Sequence, residues 1–261
     1  MDFRVANTEC AAAAAGGSAV RADSIDPLEL YASAIDTSDY VEAVVPLIRR
    51  AAPAIGDLLD VGAGGGQLGH ALRPAKARWT AIEPSQVMRS RLLRFPDPPL
   101  VLDCDWSPSV IAERAYDTVL AATMPATMED PKDFLACCRT WARRQVVWVV
   151  PAQNGPRGLC FAGCLPPSWH REDVSPGVDK TLRELPPADA PDDIAYTEWT
   201  FTGIVKSLDD LADFLSGRLG WSVDDARRPE LAEHLKKQAK PHANGFCLEI
   251  ARRSAVLVWR A

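Results

Sequence analysis

Short apolar runs recur along the first half of the chain at nearly regular intervals. Stretches of helical length separate these runs, which occupy residues 58–61, 79–82, 100–102, 118–120 and 146–150. In one separating stretch, residues 132–143, the apolar side chains recur on one helix face. A short run that is apolar on both faces is typical of a strand buried between helices. The pattern therefore predicts βαβ units and an α/β fold with a mostly parallel sheet.

The two ends of this alternating region have a different character. Residues 1–25 are rich in alanine and predict a flexible tail, and the folded domain is expected to span residues 26–261. Asp36 and Asp39 frame a polar tetrapeptide that is expected to cap a helix ending near Arg50. Eight of the 21 prolines lie between residues 151 and 191, so an irregular, proline-rich insertion is expected at about 151–205.

The last part of the chain returns to regular patterns. Residues 196–205 indicate a strand, and Ser207 with Asp210 forms a capping box for a helix over 208–219. Pro229 is expected to begin another helix. The apolar stretches 245–251 and 254–259 predict an antiparallel hairpin whose turn is Arg252-Arg253.

The charge of the chain narrows the classes of partner. With 29 basic and 35 acidic residues the net charge is −6, which disfavours general binding to nucleic acid or to anionic membranes. No stretch approaches the roughly 18 apolar residues that span a bilayer, and the start of the chain is a poor signal peptide. Seven cysteines without a disulfide pattern agree with a cytoplasmic location.

A glycine-rich motif follows the first apolar run. Asp60 precedes Gly62, Ala63, Gly64 and Gly66, and a helix-like segment comes next. Alternate glycines let the chain turn tightly and bring backbone N–H groups against a ligand. The next apolar run ends at Glu83-Pro84, 17 residues after Gly66, where an acidic side chain is able to accept hydrogen bonds from both ribose hydroxyls.

In these motifs the chain resembles the class I S-adenosylmethionine (SAM)-dependent methyltransferases. The spacing is acidic-x-Gly-x-Gly-x-Gly and not the dinucleotide form Gly-x-Gly-x-x-Gly. Residues 115–120 and the two apolar stretches near the end resemble the fourth strand and the closing antiparallel pair of that family. The resemblance implies a three-layer sandwich with a seven-stranded, mostly parallel sheet that ends in an antiparallel hairpin, and it implies SAM as methyl donor with S-adenosylhomocysteine as product.

The resemblance also implies roles for single residues. Asp60 and the glycine loop, defined here as residues 62–66, would surround the methionine part of SAM, and Glu83 would hold the ribose. Asp105 or Asp103 would read the adenine amino group, and Trp106 or Met88 would lie on the ring. Thr123 and Met124 would border the methyl group. The implied donor-binding residues are Asp60, Gly62, Ala63, Gly64, Gly66, Glu83, Pro84, Met88, Asp105, Trp106, Thr123 and Met124.

The acceptor is less constrained. The fourth strand is followed by Ala-Ala-Thr-Met-Pro and not by the Asn/Asp-Pro-Pro-Tyr-like turn of enzymes that methylate base or glutamine amide nitrogens. A small-molecule acceptor is therefore expected, with no nucleic-acid or membrane partner. Methylation of RNA or protein, and a SAM-binding module without catalysis, are the alternatives.

Several side chains are candidates for the acceptor side. His170, within the insertion, is the candidate general base. Tyr31, Tyr40, Tyr196 and Glu198 are equally able to line the pocket or to pack in the fold. Cys160 and Cys164 with His170 offer three potential metal ligands, but the spacing is not that of a zinc knuckle, and no metal is assigned.

Overall fold

One eight-stranded sheet organises the chain. The computed structural model describes residues 25–124, 130–155, 160–169 and 174–261. The strands, in chain order, are β1 (Leu58–Val61), β2 (Trp79–Ile82), β3 (Leu100–Leu102), β4 (Tyr116–Ala122), β5 (Ala142–Pro151), β6 (Asp193–Val205), β7 (Lys240–His242) and β8 (Gly245–Arg260). Their spatial order is β3-β2-β1-β4-β5-β8-β6, and the short β7 pairs with β8.

The direction of the strands creates one functional edge. Strands β1 to β5 are parallel, and β8 runs antiparallel between β5 and β6. Strand β6 therefore points the same way as the first five. The carboxyl ends of six strands meet at one edge of the sheet, which is where open α/β sheets bind their ligands.

Helices cover both faces of this sheet. They are α1 (Pro27–Thr37), α2 (Tyr40–Ala51), α3 (Gln67–Leu72), α4 (Gln86–Leu92), α5 (Pro131–Trp141), α6 (Gly177–Glu184), α7 (Leu208–Arg218) and α8 (Arg227–Gln238). Apolar residues of α2, α3, α7 and α8 form one core with the sheet. Those of α5 and α6 form a second core on the other face. The predicted three-layer α/β sandwich is confirmed.

The expected strands of the alternating region are confirmed. The runs 58–61, 79–82 and 100–102 have the bounds of β1, β2 and β3, and the runs 118–120 and 146–150 lie within β4 and β5. All residues of β1 and β2 are buried, because helices cover both faces of these strands.

Helix α1 was not expected, and it changes the role of the polar tetrapeptide. Asp26 caps α1 by accepting hydrogen bonds from the N–H groups of Leu28 and Glu29 (2.8 and 3.0 Å). Asp36 therefore lies inside α1 and caps nothing. Asp39 precedes α2, but its carboxylate accepts a hydrogen bond from Thr200 N–H (2.6 Å) on strand β6 and makes no side-chain cap.

The expected turn at Arg252-Arg253 is wrong. Both residues lie inside the continuous strand β8, with Arg252 buried and Arg253 exposed, as alternate positions of a strand require. The guanidinium of Arg253 lies over the Tyr196 ring on β6, 4.7 Å from its centroid. The hairpin turn occurs earlier, between β7 and β8, and the long antiparallel pair is β6 with β8.

The described parts of the proline-rich insertion pack on opposite faces of the sheet. Phe161, in the 3₁₀ turn Cys160–Cys164, belongs to the core under α2 and α7. Val178 of α6 belongs to the other core. Between them, Gly155 N–H donates to Val174 O (2.9 Å), just beyond the carboxyl end of β5. The last thirteen residues of the expected insertion are strand β6.

Two further findings concern the chain as a whole. The expected flexible tail, residues 1–25, lies outside the described residues except for Ile25. In the ranges that the structure describes, every helix is too short or too polar to cross a bilayer.

Candidate functional site

The glycine loop bends over the carboxyl edge between β1 and β2. Gly62, Gly64 and Gly66 have φ values of +63°, +56° and +82°, a left-handed conformation that glycine adopts at little cost. Gly62 N–H and Ala63 N–H donate to Ile82 O at the end of β2 (2.8 and 3.2 Å). The motif therefore forms a turn from β1 to α3 that is fixed to the end of β2.

Glu83 joins this loop to the next one. Its Oε2 accepts a hydrogen bond from Gly64 N–H (2.8 Å) and its Oε1 accepts one from Ser85 N–H (2.8 Å). Burial raises the pKa of the Glu83 carboxyl, and these two N–H groups and Arg89 oppose the rise. Each carboxylate oxygen retains a lone pair, so Glu83 is able to accept two further hydrogen bonds from a ligand.

The glycines of the loop face different surroundings. A Cβ atom on Gly66 would lie 2.4 Å from Leu92 Cδ2, so Gly66 permits close packing of the loop on α4. A Cβ atom on Gly64 would have no neighbour within 4 Å. Gly64 therefore faces open space, and its N–H is fixed by Glu83.

Asp60 is buried below the loop. Its Oδ2 faces Gly69 of α3 and the indole N–H of Trp79, although no hydrogen bond of ordinary geometry joins Oδ2 to a described residue. Burial raises the pKa of Asp60 to about 7; the charge of Glu83 adds to the rise and the Trp79 indole opposes it. The expected contact between Asp60 and the methionine part of SAM stays a prediction.

The two aspartates after β3 have different charged neighbours. Asp103 forms an ion pair with Arg89 Nη1 (2.6 Å), which also donates to the carbonyls of Glu83 and Pro84 (3.1 and 2.5 Å). Asp105 is exposed, and its negative charge raises the pKa of Glu83. Which of the two aspartates would read the adenine amino group stays a prediction.

Apolar side chains flank this part of the site. Trp106 packs edge-on against Phe134 of α5, with ring centroids 5.2 Å apart. Met88 is buried in α4, whose N-terminus is capped by Ser85 two residues after Glu83. The expected contact of Trp106 or Met88 with the adenine ring stays a prediction.

Thr123 and Met124 lie where β4 ends. Thr123 N–H donates to Val149 O of β5 (2.9 Å), and Thr123 Oγ1 lies 3.2 Å from Tyr31 Oη of α1. A Cβ atom on Gly62 would lie 2.5 Å from Met124 Sδ, so the thioether covers the start of the glycine loop. Thr123 and Met124 therefore connect the glycine loop with helix α1.

Sequence reasoning left the place of Tyr31 open and missed the helix that carries it. The signal was present in Asp26-Pro27, a capping residue followed by proline at the first helical position. Tyr40 is buried beside the same region; burial raises its pKa well above the usual value, and Tyr31 and Asp60 add to the rise. Tyr196 is exposed and lies toward the amino end of β6, away from the site.

The remaining acceptor-side candidates are not brought together in the described residues. His170 lies outside them, so its role as a base stays a prediction. The Cys164 thiol donates to Phe161 O (2.8 Å), and burial raises its pKa to about 11, which disfavours the thiolate that binds metals. No cluster of three metal-ligating side chains occurs in the described ranges.

Comparison with known proteins identifies the fold. A solved structure assigned as a type II methyltransferase from Anaeromyxobacter dehalogenans is 22% identical with a TM-score of 0.52, covering 83% of this chain and 94% of that one. A protein from echinomycin biosynthesis, concerned with conversion of a disulfide bond into a thioacetal group, is 12% identical with a TM-score of 0.51, covering 83% and 80%.

Sequence comparisons add nothing to this, since no protein-family model and no curated protein matches the chain. The strand order and the two structural likenesses agree with each other. The chain has the fold of the class I SAM-dependent methyltransferases.

Proposed function

We propose that this protein transfers a methyl group from SAM to a small-molecule acceptor. The observation that carries the proposal is the hydrogen bond between Gly64 N–H and Glu83 Oε2. It fixes a glycine loop and an acidic side chain together at the ends of neighbouring strands, where Gly64 faces open space. This is the arrangement that a nucleoside with a charged amino-acid tail requires.

The residues present fit SAM. The backbone of Gly62 and Gly64 would hold the methionine part, since both residues are in the left-handed conformation and Gly64 faces open space. Glu83 would accept hydrogen bonds from the ribose hydroxyls. Asp105 would accept one from the adenine amino group, with Trp106 and Met88 beside the ring. When bound, SAM supplies an activated methyl group for an in-line displacement, and these residues orient it.

An acceptor of small size agrees with the charge of the protein. The net charge of −6 and the lack of a dense Lys/Arg run disfavour RNA. Helix α1 also covers the carboxyl edge next to Thr123, which narrows the approach to the methyl end. A cytoplasmic location belongs to this proposal, because an odd cysteine count without a disulfide pattern favours a reducing compartment.

Donor binding is tested by calorimetry with SAM and S-adenosylhomocysteine on wild type, Gly64→Ala and Gly220→Ala. Gly64 and Gly220 both have positive φ and open space where a Cβ atom would lie, so the two variants carry a similar backbone penalty. We expect Gly64→Ala to weaken both ligands at least about tenfold, or 1.4 kcal/mol. Gly220→Ala should bind as wild type does. Equal affinities in all three proteins would contradict the proposed site.

Methyl transfer is tested with isotopically labelled SAM and fractionated cell extract. Label in small molecules supports the proposal. Label in RNA or protein would show that the acceptor is a macromolecule and not a small molecule. SAM binding without any methyl transfer would show that the protein is a SAM-binding module without catalysis.

A further inference from the structure

Thr123 has an unusual backbone conformation at the end of β4. Its φ of +53° is in the left-handed region, where a β-branched residue is rare and strained. The hydrogen bond from Thr123 N–H to Val149 O holds this conformation against the neighbouring strand. Strained residues persist where the surrounding fold determines their position, and they concentrate at functional sites.

The strained backbone directs the Thr123 hydroxyl toward Tyr31, 92 residues earlier in the chain. The two oxygen atoms lie 3.2 Å apart. Helix α1 is held in place independently of this contact, because Arg91 of α4 binds Glu29 (2.7 Å) and Asp36. The Tyr31 hydroxyl therefore lies on a helix whose position is also fixed by ion pairs.

The pair lies next to the methionine end of the proposed donor site. Met124, the residue after Thr123, packs its sulfur on Gly62 of the glycine loop. Glu83, which accepts from Gly64 N–H, and its neighbour Asp105 are the residues proposed to hold the ribose and the adenine. A ligand bound against both Gly62 and Glu83 would thus point its sulfonium end toward Thr123 and Tyr31.

The chemistry of the pair indicates the class of group that it would bind. Hydroxyls of Tyr and Thr are uncharged at neutral pH, and each both donates and accepts hydrogen bonds. A carboxylate only accepts and an ammonium only donates, but a neutral alcohol, phenol or amine does both. We propose that the Tyr31 and Thr123 hydroxyls bind the acceptor through the neutral hydroxyl or amine group that receives the methyl. This inference rests on the proposed methyl transfer.

The first test needs no turnover. Phenol and toluene serve as probes that differ in one hydroxyl, and their binding to the protein saturated with S-adenosylhomocysteine is measured by ligand-observed NMR. We expect wild type to prefer phenol at least about fivefold, and Tyr31→Phe and Thr123→Val each to lose the preference. Tyr196→Phe, an exposed tyrosine on β6, is the matched control and should keep it. Equal binding of both probes by wild type, or a preference that survives both variants, would overturn the inference.

The second test uses the acceptor fraction that receives label. Tyr31→Phe and Thr123→Val should lower kcat/KM for that acceptor about ten- to a hundredfold, and the affinity for S-adenosylhomocysteine should change less than about twofold. Thr123→Ser, which keeps the hydroxyl, should lose less than Thr123→Val. A parallel fall in donor affinity would assign the pair to the donor instead. Failure of wild type to bind the donor would overturn the proposed function itself, which the calorimetry reveals separately.

Discussion

Glu83 joins the two loops of the proposed donor site, those that follow β1 and β2. Both carboxylate oxygens accept backbone N–H groups, from Gly64 on one side and Ser85 on the other. A carboxylate has two oxygens and is able to accept both hydrogen bonds, whereas an amide has one oxygen and one NH₂ and accepts only one of them. The Glu83 carboxylate thus stabilises the conformation of the glycine loop in addition to any role in ligand binding.

This asymmetry gives the first prediction. In Glu83→Gln, the NH₂ group must face either Gly64 N–H or Ser85 N–H, so one hydrogen bond becomes a contact between two donors. We expect S-adenosylhomocysteine to bind about ten- to a hundredfold more weakly, as for loss of charged hydrogen bonds. Calorimetry measures this loss. A 2′-deoxyribose analogue is the control: if wild type binds it as tightly as the parent ligand, Glu83 does not hold the ribose.

Asp60 gives a prediction about pH. Its pKa of about 7 in the folded protein lies above the 3.8 of an exposed aspartate. Between these values the folded state binds more protons than the unfolded state, so the stability that Asp60 contributes is complete below pH 3.8 and is lost as the pH rises to about 7. The full loss corresponds to about 4 kcal/mol.

Asp60→Asn should remove this dependence, because asparagine does not ionise. The unfolding free energy of the variant minus that of wild type should increase from about pH 5 to about pH 8, measured by urea denaturation at each pH. If the difference in unfolding free energy does not change with pH, ionisation of Asp60 does not destabilise the folded protein.

At the scale of elements, α1 is attached to the donor side mainly by polar side chains. Gln67, directly after the glycine loop, donates to Asp36 Oδ1 (2.6 Å), and Arg91 binds both Glu29 and Asp36. The two carboxylates are nearly half exposed, so solvent weakens these pairs. On this side, helix α1 is therefore held by ion pairs that solvent screens, whereas Ala34 and Ile35 attach the helix to the core.

Arg91→Ala should loosen α1 selectively. We expect the loss of the paired guanidinium to cost about 1 kcal/mol and to speed amide hydrogen exchange in residues 27–37 roughly fivefold. Hydrogen-exchange mass spectrometry measures the rate. Arg228→Ala is the matched control, since Arg228 is also largely buried and pairs with an exposed aspartate, Asp213, on α7. Equal acceleration in both variants would mean general destabilisation.

The elements also show which parts of the fold were predictable from sequence. Runs buried on both faces gave β1 and β2 with their bounds, because burial of that kind leaves a local signature. The run 100–102 also has the bounds of β3, although that strand lies at the sheet edge and Leu100 is exposed. The two charges of Arg252-Arg253 suggested a turn, but in β8 they alternate between a buried face and an exposed one where Arg253 stacks on Tyr196. That outcome depends on a partner strand far away in sequence.

The same limit applies to the site. The glycine loop and Glu83 are local motifs, and both were predicted at positions that the fold brings together. The approach of Tyr31 to Thr123 joins residues 92 positions apart, and the φ of Thr123 is set by β5. Neither contact has a local signature in the sequence. The sequence therefore indicated Tyr31 and Thr123 as candidates but did not predict that their hydroxyls lie close together.

At the scale of the molecule, the proposed donor site and the segment between β5 and β6 come from different parts of the chain. Residues 58–105 supply the glycine loop, Glu83 and Asp105. The segment from β5 to β6 leaves the carboxyl edge, packs Phe161 on one face of the sheet and Val178 on the other, and returns as β6. Gly155 and Val174 keep it at the carboxyl edge between these two attachments. We expect this segment to shape acceptor binding and to leave donor binding unaffected.

Phe161→Leu tests that division. Phe161 packs edge-on against Phe201 of β6 and closely over Gly203, so a smaller side chain should loosen the attachment at a cost of about 1 kcal/mol. We expect a severalfold lower rate of methyl transfer to the labelled acceptor fraction, with unchanged affinity for S-adenosylhomocysteine. Ile48→Val in α2 truncates a side chain of the same core by a similar amount. This control variant should keep the wild-type rate of methyl transfer and the wild-type affinity for S-adenosylhomocysteine. If both variants lose transfer equally, the effect follows stability, and the segment has no special part in acceptor binding.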